Sequence, residues 1–410
     1  MDALRIYLDL GDEPVTVGRF LLQGRTPYFQ FTSEFIARGH NISPLKLAWT
    51  TEIQRADTAI FDGLFGVFAD SLPDGWGRLL LDRELSRRGV DLNAIGVLDR
   101  LAYVGNTGKG ALTYRPELQT VAEELAYELV LDRLAARSRA VLREENLGAV
   151  PDLLRLGGSS GGARPKVQVL YNPTTEDLLP DSLPVPPGYE AWIIKFPATY
   201  DPGDSARIEY AYYRAALAAG LEMSECRLFS GATGASYFGT KRFDRGVGST
   251  RLHLHSLAGL VHDNFRLPAL DYGHAMDAAF RLEQDVAAYH KVLRIAAFNV
   301  FAHNRDDHSN NLSFLQDAAG GWTVAPAYDL TYSRPAHGEH SMTVAGEGRS
   351  PGRTDLLRLA EHFRVRNPVS VLDEVWEGVR RLPEVLREEG VAEETAGAVG
   401  RHLRVANGLR

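Results

Sequence analysis

The chain has 410 residues, of which 44% are hydrophobic and 24% charged, an ordinary composition for a globular protein with room for about two or three domains. A net charge of −8 excludes attraction to nucleic acid or anionic membrane over the whole surface, so direct nucleic-acid binding is not expected beyond a local basic patch. One cysteine, Cys226, excludes an internal disulfide, and no apolar run approaches the ~20 residues of a membrane span. The N-terminus "MDALRIYLDLGDEP" carries acids where a secretion signal needs lysine or arginine, so the expected location is the cytoplasm.

Taken in order, "RIYLDL", "VTVGRFLL" and "PYFQFT" read as short strands, and the turn Pro73-Asp74-Gly75 leads into a helix with leucines at 79, 80 and 81. From Glu117 to Leu147 the apolar spacing predicts a helix bridging two parts of the chain. The glycine cluster "LRLGGSSGGARPKVQVLY" then runs into a strand. Next, "NPTTEDLLPDSLPVPPGYE" holds five prolines in nineteen residues, which predicts a long exposed loop. "AWIIKFPA" follows as a buried strand, and "SARIEYAYYRAALAAGL" as a helix stopped by Gly220, with Ala206, Tyr210, Tyr213 and Leu217 as its apolar stripe. "CRLFSG" and "SYFGTKRFDR" read as paired strands, and the remainder is mainly helical. Strands followed by helices, twice over, make this an α+β chain.

The densest chemistry lies in "AFNVFAHNRDDHSNNLSF", where an apolar helix gives way to a polar cluster. Arg305-Asp306 with Asn311 five positions after the aspartate fits the R-D-x-x-x-x-N spacing of a protein-kinase catalytic loop, in which the Asp receives the acceptor's hydroxyl proton and the Asn holds Mg²⁺. A solvated turn is the competing reading of that stretch alone. Asp329 in "VAPAYDLTYS", read at the end of a short strand, stands where a second metal ligand is needed, although no Asp-Phe-Gly is present and a turn-forming Asp is the alternative. Lys195 in "WIIKFPA" and Glu209 on the following helix have the order of the phosphate-holding Lys–Glu pair. An edge lysine and an exposed helical acid are their bland alternatives. Gly161 and Gly162 allow backbone N–H groups to approach phosphates, but neither a Walker loop nor G-x-G-x-x-G is completed. The order of these parts carries more weight than any one of them.

The motifs "GGSSGGARPK", "WIIKFPA" with "IEYAYYRAALAAGL", "RFDR", "NRDDHSNNLSF", "APAYDL" and "FADSLPDGWGRLLLDR" together resemble the HipA-like serine/threonine kinases, toxins of bacterial toxin–antitoxin pairs. The resemblance implies a small N-terminal β-rich domain over 1–115, a bridging helix over 116–150 and a kinase-like smaller lobe with the glycine-rich loop over 151–250. A mainly helical lobe with the catalytic and metal loops would fill 251–410. It implies ATP and Mg²⁺ as cofactors, a protein Ser/Thr acceptor, and a small DNA-binding antitoxin as partner. By position, Asp306 becomes the catalytic base, His308 a support of the catalytic loop, Asn311 and Asp329 the metal ligands, Lys195 the phosphate lysine with Glu209, and Lys166 a further cation beside Gly161 and Gly162. Ser159, next to Ser160, becomes the autophosphorylated serine.

Two departures stand out. Asn310 replaces the family's usual lysine, for which Lys166 or Arg242 are the candidate substitutes, and Asp307 replaces a small residue beside the base. The rival readings are a small-molecule phosphotransferase, a metal-dependent phosphohydrolase using His303, Asp306, Asp307 and His308, and a degenerate kinase fold acting by binding.

Overall fold

Strict alternation of apolar and polar residues near the N-terminus folds as β1 (Ala3–Leu8), β2 (Val15–Gln23) and β3 (Thr26–Phe31), joined by β4 (Leu112–Arg115) in an antiparallel sheet of order β3-β2-β1-β4. Leu4, Ile6, Phe20, Phe29, Phe31 and Tyr114 form its inner face and pack on Leu98 and Leu101. The structure is a computed structural model and describes all residues except 57–59, 119–128, 146, 159–160, 182–183, 268, 334–337 and 407–410.

A second sheet, of order β6-β5-β7-β9-β8, is built from β5 (Lys166–Tyr171), β6 (Leu178–Pro180), β7 (Glu190–Lys195), β8 (Cys226–Ser230) and β9 (Ser236–Lys241). Every residue of β5 is buried, and Trp192, Ile194, Val167 and Val169 pack with the helices Gly75–Arg87 and Val150–Gly157. The proline-rich stretch expected as loop contributes β6, whose Pro180 is tolerated because an edge strand has one side free of ladder donors. The expected bridging helix is seen only as Leu131–Leu142, and residues 119–128 of that expectation lie outside the described residues. β10 (His253–Ser256) follows.

The chain divides into two compact units. One comprises Met1–Gly203, Phe229–His255 and Gln316–Gly320, and so holds the four-stranded sheet and most of the five-stranded one; the other comprises Asp204–Leu228, Ser256–Leu315 and Gly321–Arg410. The second unit is mainly helical, with β11 (Ser313–Gln316) beside β12 (Trp322–Val324). Its helix Ser205–Ala218 differs from the expected stripe. Ile208, Glu209, Ala211, Tyr212, Ala215 and Ala216 are buried, whereas Leu217 is 46% exposed. The helices Pro368–Val379 and Leu382–Glu388 both pack on it, and a helix with two partners buries more than one stripe. Gly220, at φ +73, ends the segment as expected.

Candidate active site

The helix Ala287–Phe301 buries Leu293, Ala297 and Phe301 and delivers the chain into the polar loop through His303, at φ +56. Behind this loop the two adjacent acids separate. Asp307 is fully buried, with Oδ2 accepting from the Tyr272 hydroxyl and His340 Nδ1, each at 2.9 Å, and Oδ1 accepting from the Ser341 N–H at 2.8 Å. Asp306 faces outward, its side chain 62% exposed. The two carboxylates therefore face opposite ways, which does not suit the rival phosphohydrolase reading that takes both as ligands.

A continuous run of hydrogen bonds joins these neighbours. The Asp306 N–H donates to Ser333 Oγ (2.9 Å), Ser333 Oγ to Asn304 Oδ1 (3.3 Å), Asn304 Nδ2 to Asn299 Oδ1 (2.9 Å), Asn299 Nδ2 to the Tyr272 oxygen (2.8 Å), and the Tyr272 hydroxyl to Asp307. A backbone N–H can only donate and a carboxylate can only accept, so every bond in the run points the same way and each polarises the next. Burial, and then the Asp307 charge, hold the Tyr272 phenol far above the ordinary tyrosine range, which keeps it a donor.

On the outer side, Asn311 Nδ2 donates to the Asp306 carbonyl at 2.9 Å, which fixes the amide so that Oδ1 is its remaining ligand atom. The 3₁₀ turn Ser309–Asn311 is held by Tyr328, whose hydroxyl donates to the Asn310 carbonyl at 2.7 Å. His308 lies 3.7 Å from Asp306 Oδ1, beyond hydrogen-bond reach, and its ring sits 5.2 Å from that of Phe265. Its Nδ1 is buried without a hydrogen-bond partner among the described residues. A cavity of about 10 Å³, lined by Asp307, His308, Asn311, Tyr328 and Leu330, admits nothing larger than a water. Asp329 stands between two cavity-lining residues, half-buried and at φ +53, five positions past the end of β12 rather than at it.

A hard amide oxygen and a carboxylate suit Mg²⁺, which takes few protein ligands beside phosphate oxygens. Among the described residues no three His, Cys, Asp or Glu side chains converge as a metal cage, and His303 instead stacks on His402 at 3.8 Å. The set considered for a phosphohydrolase is not assembled.

The first unit carries the remaining sequence candidates. Gly157 closes the helix Val150–Gly157, and a Cβ on it would lie 2.3 Å from the Lys166 carbonyl, so this glycine serves packing. Gly162, at φ +83, lies against Lys166 Nζ, which donates to the Gly161 carbonyl. Lys109, which the sequence did not single out, is also there: its Nζ lies 3.4 Å from where a Cβ on Gly161 would stand. Lys195 is on the central strand β7, not an edge, directly opposite Lys166 in the ladder, so both ammoniums leave the same face. Its Nζ lies 5.4 Å from the Phe238 ring centroid. Arg242 is no substitute for the family lysine: it is buried and engaged by Asp244, Asp181 and Gln168. Glu209, on its helix in the second unit, is 5% exposed, so the exposed-acid alternative falls. Ser159 and Ser160 lie outside the described residues.

Sequence reasoning missed Tyr272, Asn299, Ser333 and His340, which reach Asp306 and Asp307 from distant segments. Only Asn299 left a signal, as a lone amide inside the apolar run "AAFNVF".

These elements define an α+β protein with a β-rich N-terminal part and a mainly helical unit carrying a braced Asp-Asn loop. Family models match twice, the HipA N-terminal domain over residues 10–115 and the HipA-like C-terminal domain over 158–385. The chain belongs to the HipA-like family. Among solved structures it is similar to a chain of the Shewanella oneidensis MR-1 toxin–antitoxin complex of HipA, HipB and operator DNA. That match has 17% identity and a TM-score of 0.70 over 99% of this chain and 96% of that one, a likeness of fold. The Helicobacter pylori proinflammatory kinase CtkA matches over 51% of this chain and 92% of its own, with 14% identity and a TM-score of 0.33. No curated protein matches.

Proposed function

We propose that the chain is a HipA-type serine/threonine protein kinase, moving the γ-phosphoryl group of ATP to a hydroxyl of a protein. The observation that carries this reading is the outward carboxylate of Asp306, a residue whose backbone carbonyl accepts from Asn311 Nδ2 and whose backbone N–H begins the run to Asp307. The acceptor oxygen bonds to the γ-phosphorus, the bond to the bridging oxygen breaks, ADP leaves, and Asp306 takes the hydroxyl proton. Lys195 and Lys166, with Gly161 and Gly162, serve the nucleotide phosphates; Glu209 keeps its assignment as the acid of the phosphate lysine. Asn311 Oδ1 and Asp329 would hold Mg²⁺, which when bound offsets charge on the phosphates. Ser159 is the loop serine assigned to autophosphorylation. HipB stands beside HipA in the Shewanella complex, and a small DNA-binding antitoxin is the corresponding partner here.

Asp306→Asn should lower transfer from γ-labelled ATP by about 10²–10⁴-fold, while thermal stabilisation by ATP and Mg²⁺ persists. Undiminished transfer by that variant would remove Asp306 from the mechanism. Mapping labelled phosphoserine in the wild-type chain tests Ser159 against Ser160.

A further inference from the structure

The inner face of the N-terminal sheet is core, but the outer face carries a line of arginines. Strand register sets Arg115 of β4 directly opposite Arg5 of β1, Arg5 opposite Arg19 of β2, and Arg19 opposite Gln30 of β3. Directly opposed residues leave an antiparallel sheet on the same side, so three guanidiniums form one row, roughly 10 Å long at about 4.8 Å per strand. All three are exposed. Arg19 is oriented by Gln30 Oε1 at 3.0 Å, and Arg115 lies 4.8 Å from the centroid of the Tyr7 ring. None of the three is ion-paired among the described residues.

Period-two alternation puts Ala3, Tyr7, Leu21 and Tyr28 on the same face, and Leu21 is 41% exposed. Arg5 and Arg19 also line a depression of about 470 Å³ whose one acid, Glu34, sits at its rim in the helix Ser33–Arg38. Like charges directly opposed in a sheet are destabilising, and this chain has 53 acids with which to neutralise them against 45 lysines and arginines. An unneutralised row on a chain of net charge −8 is a local exception to its own composition. Folding does not call for it.

We propose that this face binds a nucleic-acid strand, with backbone phosphates along the arginine row and bases against Tyr7 and Tyr28. Guanidinium matches phosphate with two parallel hydrogen bonds, and aromatic rings on an open sheet face stack bases of any sequence. The local basic patch that net charge left open is thus assigned to one face of one sheet. An acidic peptide would use the arginines but not the rings, and so it is a distinguishable outcome. The inference does not depend on the phosphotransfer reading.

The test is fluorescence anisotropy of a labelled oligothymidine of about twenty nucleotides with the full chain, between about 50 and 200 mM salt. Combining Arg5→Gln, Arg19→Gln and Arg115→Gln should weaken binding more than about 10-fold and reduce the log–log salt slope by about 2, since each phosphate contact on a single strand contributes about 0.7. Tyr7→Leu or Tyr28→Leu, which keep apolar bulk, should weaken it about 5-fold with the slope unchanged. The melting temperature of the triple variant should stay within a few degrees of wild type, because the exposed Arg19–Gln30 bond and Arg115–Tyr7 contact it loses are offset by relief of the opposed like charges, so lost affinity would not be lost folding. The proposal is overturned if the wild-type chain does not bind, or if the triple variant binds equally well. Tighter binding of a polyglutamate peptide, insensitive to the tyrosines, would also overturn it and assign the face to an acidic protein.

Discussion

Asp306 and Asp307 show how far one step along the chain can separate two identical side chains. The outer carboxylate is solvated and available for chemistry, whereas the inner one receives three donors. Asp307→Ala leaves the Tyr272 hydroxyl, His340 Nδ1 and the Ser341 N–H without their acceptor. At about 1–3 kcal/mol for each buried donor left unpaired, the loss should be at least about 3 kcal/mol, read by denaturant unfolding. Under the proposed phosphotransfer, the loss of transfer should appear in kcat rather than in the KM for ATP, because Asp307 braces the loop of the proposed base and makes none of the proposed nucleotide contacts. Unchanged stability would show that the run of bonds does not brace the loop. A second buried cluster is instructive because it resembles a catalytic triad. His255 bonds Ser43 Oγ at 3.0 Å and Asp70 Oδ2 at 2.7 Å, but Ser43 is 1% exposed, so the geometry locks a core instead of meeting a substrate. Beside it, burial pushes His253 down to about 4. Between pH ~6.5 and ~4 the unfolded chain takes up a proton that folded His253 refuses, so stability should fall with pH across that window, by up to about 3 kcal/mol. His253→Gln should flatten that part of the stability profile in urea titrations at pH 7 and pH 5. An unchanged acid-side loss would assign it to another group.

At the scale of elements, the glycine cluster was legible as a motif but its division of labour was not. Gly161 and Gly162 lie against the Lys166 ammonium, whereas Gly157 ends a helix against β5. Gly157→Ala would force a Cβ within 2.3 Å of a backbone carbonyl that also accepts from Trp76 Nε1 at 3.1 Å. Backbone on both sides cannot yield cheaply, so a loss of about 2 kcal/mol or more is expected, seen as a melting temperature lowered by several degrees. The order of strands and helices, and the Asp306–Asn311 pairing, could be read from spacing because both depend on local periods and short loops. The buried face of Ser205–Ala218 could not, since it is decided by two helices more than 150 residues further on. The burial of Glu209 went unforeseen for the same reason. A charged residue looks solvent-facing until the partners of its helix are known. The run behind Asp306 joins residues 272, 299, 304, 307 and 333, and no local period connects them.

On the scale of the whole molecule, the N-terminal sheet and most of the five-stranded sheet lie in the first unit, and a buried charge network ties their segments together. Asp244 accepts from Arg242 at 2.9 Å, from Arg245 at 2.8 Å and from the Gly110 N–H at 2.8 Å. Arg245 continues to the Gly108 carbonyl and Arg251 to that of Asn106. Burial alone would raise the Asp244 carboxyl, but the Arg242 and Arg245 guanidiniums hold it well below the usual carboxylate range. It therefore stays charged through the pH window in which His253 titrates, and any stability it contributes is lost only as pH falls below the ordinary Asp value of about 3.9. Removing it is another matter. Asp244→Ala leaves Arg242 and Arg245, both almost fully buried, without their shared carboxylate, and breaking one partner out of a buried ion cluster costs about 3–5 kcal/mol. Calorimetry of the full chain should show the transition of the first unit moved to lower temperature. Because the lost contacts run from the end of β9 to the segment leading into β4, both sheets should lose stability in the variant. A transition that stays at its wild-type temperature would mean that the two sheets are held by their apolar packing, with the arginine cluster as a bystander.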